Sequence, residues 1–350
     1  YLSQDPYRSL PDPKYYEGQT TKDLRIRDSA FDDISSEKRI KYALEIEKAA
    51  RLHSTKIISC TAGYEDSRSD SVKIHSNGFE GENSTTRFSA GAEATVQGDN
   101  GERLEDWYWC TTRFLDDMPS PKTLGQTAVK RALRKIGAEK LRSGKFEMIL
   151  ENRTTGRLFW AFYYPMQAQA IQQKNSFLEG KLSEKIGSNI LTIIDDPFIE
   201  SGLGSRLYDS DGLATRRRTI IEKGVLQSYY VDYYYGKKLG MEPTVGSSTN
   251  VVMDYGDRSM DEIVSSTDKG ILVTGFIGGN CNSTTGDFSY GITGLYIENG
   301  QVVKPVGEMN IAGNMLDLWN NLAEVGNDPN IYSSWRLPTL VFKDVQFSGV

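Results

Sequence analysis

Apolar residues in this chain fall into short groups with two kinds of spacing. Over residues 36–52, Ile40, Ala43, Leu44 and Ala50 lie on or near one helical face. Ser35 or Ser36 is placed to cap that helix, and Glu37 sits at its positive end. A clearer helix follows Ser120. Pro121 takes the first turn, Leu124, Ala128, Val129, Ala132, Leu133 and Ile136 form the apolar stripe, and Gly137 stops it. A third helix is expected from Thr154 or Thr155, with Leu158, Phe159, Phe162 and Met166 inward. Pro165 should kink or end it, because proline inside a helix costs about 3 kcal/mol.

Between the first two helices the pattern shifts toward alternation. Strands are expected over residues 57–62, 71–76, 87–97 and 107–115, and again over 146–150. Residues 1–28, punctuated by Pro6, Pro11 and Pro13, read as irregular. After Ser188 strands dominate. A buried strand is expected over 190–194, a hairpin turning at Lys223-Gly224, and a clearer hairpin turning at Asn299-Gly300, the dipeptide that suits a primed turn. A short helix over 314–321 and a last strand over 337–347 complete the reading. The fold class is α+β: a mixed α/β N-terminal domain over residues 1–145, then a β-rich C-terminal domain over 146–350.

Composition narrows the partners. The net charge is −6 and the pI near 5.3, which argues against a phosphate-binding surface for nucleic acid. The dense basic run Arg216-Arg217-Arg218 reads as a charged, solvated strand edge. No apolar stretch approaches the roughly 20 residues of a membrane span, so no membrane partner is expected. The three cysteines, Cys60, Cys110 and Cys281, are far apart and form no CxxC, which fits a reducing cytoplasm better than a disulfide framework. In that compartment the sequons at Asn83, Asn152 and Asn282 carry no meaning.

Candidate chemistry is sparse. Of the two histidines, His53 sits at a helix end and His75 beside a turn, both ordinary surface settings. Asp195-Asp196 and Asp209/Asp211 could be imagined as an acid/base pair, but Asp-Asp-Pro is an ordinary turn after a strand. Asp209-Ser210-Asp211-Gly212 lacks the spaced glutamate of a calcium loop. Cys281 has no histidine near it in sequence to activate it. The tyrosines at 229, 230, 233, 234 and 235 suit half-buried packing or a partner interface better than base stacking.

A longer ordered series is specific where single tetrapeptides are weak. It runs from Ser176-Phe177-Leu178-Glu179-Gly180-Lys181-Leu182 through Leu191-Thr192-Ile193-Ile194-Asp195-Asp196-Pro197, Gly204-Ser205-Arg206, Thr215-Arg216-Arg217-Arg218 and Lys238-Leu239-Gly240. It continues through Thr285-Gly286-Asp287-Phe288-Ser289-Tyr290-Gly291 and Asn310-Ile311-Ala312-Gly313-Asn314 to Val325-Gly326-Asn327-Asp328. Over roughly residues 20–350 this series resembles the TldD/PmbA family, also called modulators of DNA gyrase, on its PmbA/TldE-like side. Family members carry more chain before the position of Tyr1, so an earlier native N-terminus is expected.

The resemblance implies that TldD-branch chains carry an HExxxH helix. Two histidines there bind a metal, the glutamate serves as general base, and a later cysteine completes the ligands. Counted back without gaps from Ser176, the motif falls on residues 159–164, which read Phe159, Trp160, Ala161, Phe162, Tyr163 and Tyr164. Residues 330–338 contain no cysteine. The expectation is therefore no metal, no other cofactor, and no activity alone, with Phe159 and Trp160 turned to buried packing. By resemblance, the partners would be a TldD-like metallopeptidase subunit or a second copy, with peptide or unfolded protein as substrate. A stand-alone peptide-binding or structural homodimer, and a hydrolase with an unrecognised site, are the alternatives. Gly286, Asp287, Phe288, Ser289 and Gly291 are the expected peptide- or partner-binding stretch, because glycines permit close approach of another strand.

Overall fold

The structure, a computed structural model, describes residues 4–350. The irregular opening holds over residues 4–28 apart from one 3-10 turn at Pro13–Tyr16; residues 1–3 lie outside the described residues.

Helix α1 (Ser36–Arg51) starts where the Ser35 hydroxyl accepts the Lys38 amide. Its buried residues are Ile46 and Ala50, whereas Ile40 and Leu44 are exposed. The stripe read from sequence was thus rotated from the true one. Strands β1 (Ile57–Ile74) and β2 (Glu80–Gln97) form one long antiparallel hairpin, and β3 (Arg103–Thr112) pairs along the inner half of β2. The sequence broke this hairpin into short pieces because much of its outer half is exposed on both faces and shows no apolar alternation. On the inner half, Phe88, Ala90, Ala92, Ala94 and Val96 alternate inward and are fully buried. Helix α2 (Pro121–Leu133), capped by Ser120, covers that face beside α1. The two helices touch at Gly125, where a Cβ would sit 2.3 Å from the Ile46 carbonyl oxygen.

Strand β4 (Gly144–Leu150) then opens the larger part of the chain, followed by α3 (Asn152–Tyr163) and the short α4 (Ala168–Gln172). Pro165 falls in the 3-10 turn Tyr164–Met166 that ends α3, as its missing N–H and ring require. The remaining strands are β5 (Ile193–Asp195), β6 (Arg218–Glu222), β7 (Val225–Leu226), β8 (Val251–Met253), β9 (Lys269–Cys281), β10 (Asp287–Glu298), β11 (Gln301–Asn314), β12 (Leu322–Val325), β13 (Trp335–Arg336) and β14 (Leu340–Ser348). Helices α5 (Tyr233–Leu239), α6 (Met260–Ser266) and α7 (Met315–Asn320) interrupt them. One sheet runs β11-β10-β9-β4-β14-β12, with β11 also touching β14. A second runs β13-β8-β5-β6-β7. The fold is α+β.

Between these two sheets lies an aromatic core into which α3 projects Leu158, Phe159 and Phe162, all fully buried. Phe162 stacks on Trp319 at 4.8 Å between ring centroids. Met166 is also fully buried, so the four inward residues read from sequence are all in the core. The strand expected over 190–194 shrinks to Ile193–Asp195, and Ile190 is exposed.

The acidic and basic residues singled out earlier are mostly structural. Buried Asp195 accepts from the Thr249 amide (2.6 Å), the Thr249 hydroxyl (2.7 Å) and Arg218 (3.0 Å). Arg218 is therefore an inward partner and not a solvated edge residue. Asp209 is likewise used locally, accepting from the amides of Asp211 and Leu213 at 2.9 Å each. Tyr229 and Tyr230 are buried, and Tyr233, Tyr234 and Tyr235 are half-buried on α5.

Candidate functional site: a cleft beside an open sheet edge

The site is set by where β4 stops pairing. Strand β9 pairs with β10 along its length, but with β4 only from Gly270 to Val273. There β4 turns into α3, and the Glu151 amide donates to the Val273 carbonyl. Beyond that point no strand among the described residues pairs with β9 on the side away from β10. Its backbone from Gly275 to Asn280 is thus a sheet edge with no strand partner on that side. The adjacent pair Gly278 and Gly279 has positive φ, +60° and +82°, and a Cβ on Gly279 would sit 2.3 Å from the Ser289 carbonyl oxygen. These glycines make a bulge that bares the strand.

Two clefts follow this edge. One, of about 320 Å³, lies between the outer face of α3 and the end of β9. Arg157, Trp160 and Tyr164 line it from the helix, and Gly279, Cys281 and Tyr290 from the sheet. The other, of about 490 Å³, continues past Arg157 toward Arg153, Trp107 and Ile277. Arg157 lines both. Its Nη2 donates to the Gly279 carbonyl at 3.3 Å, and its guanidinium lies over the Tyr290 ring at 5.7 Å. Arg153 lies over the Tyr108 ring at 4.3 Å and donates to the Trp109 carbonyl at 2.8 Å. The edge is walled by cations and aromatic rings.

A buried charge cluster fixes the far wall. Arg131 of α2 donates to both oxygens of Glu151 (3.0 and 2.9 Å), to Asp106 (3.2 Å) and to the Thr274 carbonyl of β9 (3.3 Å). Arg134 adds a bond to Glu151 and Lys135 an ion pair to Asp106. Burial pushes the Asp106 carboxyl up, but Arg131, Lys135 and the Trp107 amide together hold it below its ordinary value.

The positions expected to be degenerate metal ligands do not act alike. Phe159 is fully buried, while Trp160 is 49 % exposed and stacks on Trp335 at 5.9 Å. The expected burial of Trp160 is therefore corrected. Position 160 lies on the same outward face as Arg157 and Tyr164, three and four residues away, and opposite the stripe of Phe159 and Phe162. Trp335 comes from residues 330–338 and packs on Phe159 at 5.0 Å and Tyr163 at 5.1 Å. The motif positions and that C-terminal segment meet, and what meets is a set of aromatic rings.

The donors present do not fit a catalytic metal. Among the described residues, no group of three or more His, Cys, Asp or Glu side chains converges. His75 is engaged with the Tyr16 hydroxyl at 3.0 Å, away from the cleft, and His53 lies just past the end of α1. Cys281 does line the cleft, but burial and then the Asp287 charge push its thiol up to about 11, so it is neither a ready thiolate ligand nor a ready nucleophile.

The expected binding stretch sits next to the cleft, one strand in. Strand β10 has both edges occupied: Gly291 faces Ile277 on one side and Asn310 on the other. A Cβ at Gly291 would lie 2.4 Å from the Ile277 carbonyl oxygen, so this glycine serves the sheet. Gly286 occupies a turn at φ +84° before β10. The Asp287 carboxylate is bonded to Asn314 and Thr285, Phe288 is buried, and Ser289 pairs with Asn280 and Ala312. The open backbone belongs to β9, not read from the sequence as a strand, although its Gly275, Gly278 and Gly279 fall in the glycine-rich stretch that was read as open to another strand.

Two family models cover most of the chain. The PmbA/TldA metallopeptidase central domain matches residues 29–136 and the C-terminal domain of the same family residues 143–349. The chain belongs to the PmbA/TldD metallopeptidase family. It is 29 % identical to the metalloprotease PmbA of Escherichia coli O157:H7 over 353 residues, 100 % of this chain and 77 % of that protein. It is similar in structure to a candidate modulator of DNA gyrase from Bacteroides thetaiotaomicron, with TM-score 0.97 and 42 % identity over 100 % of this chain and 80 % of that one. TldE from Thermococcus kodakarensis shares the fold, with TM-score 0.85, 21 % identity, and 99 % and 81 % coverage. No helix among the described residues is long and apolar enough to cross a membrane.

Proposed function

We propose that this chain is a non-catalytic, PmbA/TldE-like subunit of a TldD-type metallopeptidase, holding peptide or unfolded chain for a metal-bearing partner. The observation that carries this reading is the make-up of α3. Where the family resemblance places metal ligands and a general base, α3 carries Phe159 and Trp160 and the turn after it Tyr164; Arg157 lies beside Trp160 and Tyr164 on the cleft wall. A hydrolytic metal needs lone-pair donors aimed at one point, and a phenyl ring and an indole supply none. The bare edge of β9 supports the binding half of the proposal. An extended peptide added there would be held by main-chain hydrogen bonds, which read shape and not sequence. The cytoplasm is the proposed compartment, on the strength of three unpaired cysteines.

The test is reconstitution. The purified chain, a TldD-like metallopeptidase chain from the same genome, and their mixture are compared by size-exclusion chromatography and by hydrolysis of an unfolded peptide. The expected result is co-elution, with hydrolysis by the mixture and none by this chain alone. A chain that self-associates, ignores the metal-bearing partner and still binds peptide would be the stand-alone homodimer. Chelator-sensitive hydrolysis by this chain alone would reject the proposal.

A further inference from the structure

A second pocket, away from the β9 edge, carries charge with nothing to balance it. It measures about 250 Å³ and lies where β2, the end of β3 and the segment at 332–334 meet. Arg87 and Arg113 line it with Thr111, Tyr332, Ser333 and Ser334, and no carboxylate lines it. Phe88 faces Thr112 across the β2–β3 ladder, so Arg87 and Arg113 are the next residues outward on the two chains. Like charges so placed repel, although solvent screens the exposed Arg87, and an anion between them would relieve the repulsion. Neither arginine has an ion pair within 4.0 Å among the described residues.

Arg113 is held in place independently of any ligand. Its Nε donates to the Gly202 carbonyl (3.3 Å), Nη1 to Thr86 (3.1 Å) and Nη2 to Leu203 (2.7 Å). That uses three of its five N–H donors. Carbonyl oxygens solvate a cation without neutralising it. Burial, and behind it the Arg87 charge, pulls the Arg113 guanidinium below its ordinary value. An uncompensated charge in a partly desolvated pocket is costly, and a bound anion removes the cost.

We propose that the Arg87–Arg113 pocket is a binding site for a compact oxyanion, a phosphate or carboxylate group. The two planar forks suit oxyanion edges, and the hydroxyls of Thr111, Tyr332, Ser333 and Ser334 supply the further neutral donors such a group takes up. The pocket joins residues of β2 and β3 to the loop at 202–203 and the segment at 332–334, so an anion there would brace the two parts of the chain.

The experiment is thermal unfolding of the full chain in sodium phosphate and, separately, sodium acetate, each matched in ionic strength with sodium chloride. The expected result is a saturable rise in melting temperature that is lost in Arg87→Gln. Without anion, Arg87→Gln should melt no lower than wild type, because it relieves a like-charge neighbour. Ser334→Ala is the second variant, expected to shift the phosphate midpoint to roughly several-fold higher concentration, as the loss of one hydrogen bond to a charged group does. Saturation by phosphate alone assigns a phosphate group, by acetate alone a carboxylate, and by both the shared chemistry. No saturable rise with either salt, or an equal rise in Arg87→Gln, overturns the site.

Discussion

Replacing Arg131 by alanine should destabilise the chain by about 3–5 kcal/mol, the usual cost of breaking a buried ion pair by deleting one partner. Arg131 has 10 % of its side chain exposed and faces carboxylates with 6 % and 7 % exposure, Asp106 and Glu151. It belongs to α2, Asp106 to β3, and Glu151 to the start of α3, while its fourth contact is the β9 carbonyl at Thr274. Its removal strands two buried carboxylates at the junction of the helix-covered three-stranded sheet with the larger core. Arg134 keeps two hydrogen bonds to Glu151 (3.1 and 3.4 Å) and Lys135 an ion pair to Asp106, which holds the loss to the stated range.

Acid should act on the same cluster. The Asp106 carboxyl lies below its ordinary value in the folded chain. Its contribution is therefore complete above the unfolded value of about 3.9 and is lost as pH falls through the lower folded one. Chemical denaturation of wild type and Arg131→Ala at neutral pH and near pH 3 checks both points. Equal stability of the two proteins at neutral pH would contradict the clamp.

Phe159→Ala and Trp160→Ala, neighbours on one helix, should differ sharply. Phe159 is fully enclosed, with Trp335 at 5.0 Å and Trp319 at 6.4 Å, so truncation should cost about 3–5 kcal/mol. Trp160 leaves half its surface to solvent and should cost about 1 kcal/mol, chiefly the lost stack on Trp335. Binding should reverse the order. Trp160→Ala removes a wall of the cleft and should weaken peptide binding in a protein that still folds. Paired melts and a fluorescence titration with an unfolded peptide decide it; similar stability losses in both variants would mean that α3 is oriented differently.

The sequence held most of the fold where apolar period and punctuation agreed. Helix α2 and the β10–β11 hairpin were legible because Ser120-Pro121, and Asn299-Gly300 with φ +51° and +74°, fix their ends. Helix α1 was legible as a helix but not in its facing, because Ile40 and Leu44 are exposed apolar residues on a short amphipathic stretch. Strand β9 was hidden because Gly275, Gly278 and Gly279 interrupt the apolar alternation along its outer half. The lack of metal ligands on α3 could be read from residues 159–164, yet the orientation of Trp160 could not: one residue of helix turns a side chain by about 100°. The same glycine-rich stretch, Gly275 to Gly294, was read as backbone open to another strand, and it spans both the open edge of β9 and the fully paired β10. Glycine density marked a stretch where backbones approach, and the approach at Gly291 is to neighbouring strands of the same sheet.

Helix α3 and the turn after it carry the aromatic residues Phe159, Trp160 and Tyr164 where a metallopeptidase of this family carries its ligands and base. Elemental analysis of the purified chain, after dialysis against zinc-containing buffer and then against metal-free buffer, tests it most directly. The expected result is far less than one zinc per chain and no change in melting temperature on adding zinc. About one tightly retained zinc per chain, released together with a drop in melting temperature by a chelator, would contradict it.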